Sequence, residues 1–166
     1  MNTHKKKCRF WIGLFIAALV LSGLTAIPLT WELDLLAQLL GIPEAGSPHA
    51  SESWIARVRD ALHTIDRDMP FVGYGFDWLA FGHVIIALFM IGAWIDPVQN
   101  KWLITAAKIA CVAVVPWALA FGELRGIPFG WRLIDCSFGV FGLVPLYLAE
   151  THVRHWRNER GGKAGG

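Results

Sequence analysis

Four apolar blocks, each close to the length that crosses a bilayer, leave this 166-residue chain few ways to fold. They fall at about residues 10–29, 78–95, 102–122 and 131–149. A hydrocarbon core is crossed by about 20 predominantly apolar helical residues, so each block suits one transmembrane helix. With 55% hydrophobic residues gathered in blocks rather than spread by period, the chain does not match an ordinary soluble domain. Mean hydropathy of +0.46 agrees. Trp11, Trp31, Trp78, Trp94, Trp102 and Trp131 stand at block edges, where an interfacial aromatic belt places them. The expected fold is all-α: an integral membrane four-helix bundle.

The first nine residues carry Lys5, Lys6, Lys7 and Arg9 ahead of the first block. A basic start before an apolar run is also how a secretory signal peptide begins. Here Leu24 stands where cleavage after Ala26 would want a small residue, and the run is long for a signal core. Residues 10–29 therefore read as a first span behind a basic cytoplasmic N-terminus, 1–9.

Residues 30–77 form the one sizeable extramembrane piece. TWELDLLAQLLGIP reads as a short amphipathic helix with Leu33, Leu36 and Leu40 on one face, stopped by Gly41 and Pro43. EAGSPHAS reads as a loop. In SESWIARVRDALHTIDRDMP, Trp54, Ile55, Val58, Leu62 and Ile65 follow helical spacing, a serine serves as cap and Pro70 ends the helix. Its polar face carries both signs of charge, unlike a basic helix lying on anionic lipid. The segment is expected to be a helical lid over the bundle or the membrane surface, or else a docking face for a partner protein.

Lysine and arginine distribution sets the orientation. Four basic residues lie in the N-terminus, and Arg154, Arg157, Arg160 and Lys163 lie in the tail, 150–166. The 30–77 segment has Arg57, Arg59 and Arg67 against eight acids. The positive-inside rule then puts both termini in the cytoplasm and the lid outside. The tail's glycine-rich end is expected to be partly disordered.

That orientation gathers polar residues near the outer leaflet. Asp77 opens the second span, with His83 about 9 Å deeper at 1.5 Å per residue. Glu123 and Arg125 close the third span, and Arg132 and Asp135 open the fourth. Charges at the edge of hydrocarbon are costly and call for partners or a function. Arg132, Asp135, Gly139 and Gly142 fall on one helical face, where small residues admit a neighbouring helix. One reading is a structural ion-pair network in which Arg132 bonds Asp135, Glu123 or Asp77. The other is a ligand site: Arg125 and Arg132, beside Glu123, hold a phosphate or carboxylate head group, and His83, Asp77 and Asp135 are the candidate catalytic residues for proton transfer. Lys108, about 9 Å from the cytoplasmic edge of the third span, reads as snorkelling to the interface, with pairing to an acid as the alternative.

Nothing points to a metal or a cofactor. His83 has no second histidine at its depth, and Cys8, Cys111 and Cys136 form no C-x-x-C. P-loop, serine-nucleophile, H-E-x-x-H and dinucleotide motifs are missing. A net charge of +2, small and segregated, argues against nucleic acid.

FDWLAFGHVIIALFMIGAWIDPVQNKWL together with RGIPFGWRLIDCSFGVFG resembles a family of four-span bacterial inner-membrane proteins over about residues 70–149. The resemblance implies the four-span fold and brings no activity. Three functions fit: a small membrane subunit or binding protein meeting lipid or a partner, including a second copy of itself; an enzyme on an anionic head group or lipid-linked substrate; or a small proton-coupled transporter acting as an oligomer. The first is the expected one.

Overall fold

The computed structural model describes residues 3–42 and 53–164, with side chains as far as residue 157. The EAGSPHAS loop lies outside the described residues. Among those described there is no strand. The elements are α1 (Thr3–Leu24), α2 (Leu29–Leu39), α3 (Trp54–Asp68), a 3₁₀ turn at Pro70–Val72, α4 (Tyr74–Ile95), α5 (Lys101–Leu124) and α6 (Phe129–Ala164). Among the described residues four stretches are long and apolar enough to cross a membrane: α1, Pro70–Ile95, α5 and Phe129–Arg157. They mark the chain as a multi-pass membrane protein.

The helix ends differ from the hydropathy boundaries for local reasons. α1 starts at Thr3 rather than residue 10, because the Lys-rich segment is good helix former and nothing in it breaks the ladder. It stops at Leu24, ahead of Pro28, which disfavours helical geometry in the residue before it. α6 does not end at 149. It runs to Ala164, with no proline after Pro145 and with an i,i+4 pair between Glu150 and Arg154 across the expected boundary. The tail is helical as far as Ala164.

α2 and α5 stop by the same device. Gly41 (φ +63°) and Gly126 (φ +66°) sit just past the helix ends in the left-handed region that glycine occupies without strain. Around Gly41, Ile42 N–H bonds Ala37 O at 2.9 Å and Gly41 N–H bonds Gln38 O at 3.2 Å. Around Gly126, Ile127 N–H bonds Gly122 O at 2.9 Å and Gly126 N–H bonds Glu123 O at 3.0 Å. Each is a Schellman closure that satisfies two orphan carbonyls. Ser53 caps α3 with its backbone carbonyl, accepting from Arg57 N–H at 3.1 Å, and not with its side chain.

The chain divides into two compact units: residues up to Ala18 with those from Ile86 onward, and Leu19–Ile85. In the first unit, Gly139 of α6 lies against the Cys111 carbonyl of α5, so close that a Cβ there would overlap it. Gly142 lies against Cys111 Sγ, and Ile104 and Leu146 are buried. A tight α4–α5 turn is fixed by Asp96, whose carboxylate accepts from Val98 and Gln99 N–H, and by Asn100, whose amide donates to Gly92 O and Asp96 O. Arg9 of α1 donates to Trp94 O at 2.9 Å, its guanidinium 4.1 Å from that indole. In the second unit, Gly23 of α1 admits Ala80 O and His83 Cβ of α4, and α2 packs on α3.

Candidate functional site

The α5–α6 turn builds the polar site from three local choices. Gly126 reverses the chain, Pro128 accepts the first α6 amides, and Gly122 leaves a slot on α5. Arg132 fills that slot: a Cβ on Gly122 would come 2.6 Å from its Cγ and Cδ. The guanidinium pairs with Glu123, reaches Leu119 O at 3.4 Å and lies 5.5 Å from the Phe129 ring. Its side chain is 14% exposed, against 74% for Glu123, so the pair is sunk at the arginine end and open to solvent at the other. Nε of Arg132 is buried without a hydrogen-bond partner. Such an orphan donor is uncommon in a folded protein.

The remaining expected residues do not join this pair. Arg125 and Asp135 are exposed, and their side chains form no hydrogen bond or ion pair among the described residues. Asp135 lies on the same helix as Arg132, yet Arg132 bonds Glu123 instead. Asp77 and His83 belong to the second unit. Asp77 stands in the first turn of α4, where the helix dipole favours a carboxylate. His83 donates from Nδ1 to Leu79 O at 2.8 Å, an intrahelical bond that fixes the ring and leaves Nε2 as its acceptor. No hydrogen bond links His83 to Asp77.

A second charged cluster escaped the sequence reading. Glu150 of α6, its side chain 8% exposed, bonds Lys108 of α5 and receives Arg154 at 3.2 Å and Lys101 at 3.8 Å. Lys108 thus takes up the acid pairing that was the alternative reading. It is 16% exposed, paired, and 4.8 Å from the Tyr147 ring. Hydropathy puts Glu150 at the start of the tail, beyond the fourth span, and so hides its pairing. Nearby in the same unit, His4 stacks on His155 with centroids 5.2 Å apart and tilts against His152 at 5.6 Å, joining α1 to the end of α6.

In the second unit α2 and α3 are tied by polar bonds as well as by apolar faces. His63 bonds Asp34 at 2.9 Å and Thr30 donates to Asp66 at 2.8 Å. Between the helices lies a polar groove of about 560 Å³, lined by Asp34, Gln38, Arg59, Asp60, His63 and Arg67 among others. At its rim Arg67 donates to Asp68, and that hydrogen bond holds the exposed Asp68 carboxyl below its ordinary range.

No family model, curated protein or solved structure matches this chain.

Proposed function

We propose that this protein is a small non-catalytic membrane subunit of the four-span bacterial inner-membrane type, binding lipid or a partner through its polar turn. Both termini face the cytoplasm in this reading, and the α2–α3 segment lies outside as a lid over a four-helix bundle. One observation carries it: Nη1 of Arg132 is already engaged by Glu123 and Leu119 O, and the side chain is packed into the Gly122 slot inside its own hairpin. An arginine packed and paired across a hairpin in this way holds its two helices together, as a charge-assisted hydrogen bond is among the stronger polar contacts. Arg125, exposed at the same turn, is left to meet a lipid phosphate. His83, committed to its own helix, and the isolated Asp135 supply no hydrogen-bonded acid–base pair for the enzyme alternative.

The two arginines separate the roles. Arg125→Ala is expected to leave the thermal midpoint in mild detergent unchanged while lowering retention of co-purified anionic lipid by about fivefold, one surface charge being worth about 1 kcal/mol near an anionic leaflet. Arg132→Ala is expected to destabilise by about 1–3 kcal/mol, through its hydrogen bonds and its packing on Gly122. Native mass spectrometry with thermal unfolding reads both. A specific lipid lost on Arg132→Ala with the fold intact would sink the structural role and favour the enzyme.

A further inference from the structure

We infer that the face of α5 and α6 around Lys108 is a binding site for an anionic phospholipid, with its phosphate on the Lys101–Lys108–Arg154 cluster and an acyl chain in the adjoining groove. The inference rests on the proposed reading of the chain as a lipid-meeting membrane protein, but not on Arg125 or Arg132.

Charge is the first support. Three cations converge on the single carboxylate of Glu150 and pair with no other carboxylate among the described residues, which leaves a surplus of two positive charges there. Glu150 is nearly buried, whereas the side chains of Lys101 and Arg154 are 41% and 65% exposed. The carboxylate thus gathers the cations, and the surplus faces outward where an anion can reach it. A doubly coordinated phosphate fits that surplus, since charge-assisted hydrogen bonds to lysine and arginine are among the stronger polar contacts available.

Shape is the second, independent support. A groove of about 400 Å³ runs from Thr105 and Lys108 past Ile109, Val112 and Ala113 to Pro116, with Tyr147 as its α6 wall. Apart from Thr105, Lys108 and the tyrosine hydroxyl its lining is apolar. Val112 is 56% and Ile109 is 58% exposed, which in a spanning helix means facing lipid. A cationic head end continuous with an apolar channel along the helix axis matches a phospholipid and not a free anion. A free phosphate has nothing to place against Ile109, Val112 and Pro116.

The test uses the full-length protein in nanodiscs of phosphatidylcholine with or without phosphatidylglycerol, with bound lipid counted by native mass spectrometry. Lys101→Gln with Arg154→Gln leaves the Lys108–Glu150 pair in place. Read in the Arg125→Ala background, which weakens the turn site, it is expected to weaken phosphatidylglycerol retention by about thirtyfold, about fivefold per charge, and to leave phosphatidylcholine unaffected. Lys101→Arg with Arg154→Lys keeps both charges and is expected to retain the lipid. Ala113→Trp, which fills the groove without touching charge, is expected to displace it. Millimolar inorganic phosphate is expected not to compete. Unchanged retention in the double glutamine variant overturns the head-group site, and unchanged retention in Ala113→Trp overturns the acyl groove. Effective competition by phosphate reassigns the cluster to a small anion. Arg125→Ala serves as the separating control: it moves the turn site of the proposed function and is expected to leave this one alone.

Discussion

Gly139→Ala is expected to destabilise the α5–α6 pair by about 2–3 kcal/mol, read as a loss of thermal midpoint in detergent. Alanine is ordinarily the better helix residue, by about 1 kcal/mol over glycine, so a substitution meeting open space would stabilise. At Gly139 the new methyl overlaps the Cys111 carbonyl, with the Val114 Cβ beside it at 3.4 Å. A backbone carbonyl has no rotamer to turn away, so the helices must separate. Overpacking of this kind costs about 1–3 kcal/mol or more, because the neighbouring contacts open together. Two internal comparisons fix the cause. Gly82→Ala lies on α4 with nothing within 4 Å of its Cβ and is expected to be neutral or slightly stabilising. Gly142→Ala would meet Cys111 Sγ at 2.8 Å, a side-chain atom, and is expected to fall between. Cys111→Ala should therefore rescue Gly142→Ala and fail to rescue Gly139→Ala. Equal rescue of both would show that the clash is not with the backbone.

That glycine face was visible in the sequence, as were the four spans and the Gly41 stop, because each is a local signal. Hydropathy over about 20 residues finds a span, and spacing along one helix finds a face. Partner choice across helices is not local. Arg132 had three acids within plausible reach, and Gly122 decided for Glu123 by making room for the arginine stem on α5. Nothing in the one-dimensional pattern ranks Glu123 above Asp135 on the same helix. Glu150 was hidden for a different reason. Hydropathy ends the fourth span at 149, whereas the helix continues and carries the carboxylate back against Lys108, 42 positions earlier in the chain. On the same pair of helices Gly139 and Gly142 lie against Cys111, a close approach that accompanies the pairing. The pairing is legible only once that contact is known.

Removing that carboxylate should be the most damaging single change in the protein. Glu150→Ala leaves Lys108, 16% exposed among apolar residues, without its counter-ion, and leaves Lys101 and Arg154 repelling it. Breaking one side of a buried pair costs about 3–5 kcal/mol, since the remaining charge loses its compensation and not merely a contact. Lys108→Met is expected to cost less, because Glu150 keeps Lys101 and Arg154. Lys108→Met with Glu150→Leu is expected to return close to wild type, as apolar replacement of a whole buried pair often does. The double-mutant cycle, measured by reversible unfolding in detergent, should give a coupling at the upper end of the 0.5–3 kcal/mol range for contacting groups. Additivity would mean that the two residues do not share a bond. The medium supplies a further discriminator. In Glu150→Ala the surplus at the groove rises from two positive charges to three, so an anionic lipid gains affinity for the folded state as the protein loses its own counter-ion. Ligand binding to the folded state alone raises stability by mass action. Phosphatidylglycerol should therefore recover part of the lost midpoint in Glu150→Ala, and more than it adds to wild type. Phosphatidylcholine should recover none, and equal recovery by both lipids would place the phosphate elsewhere.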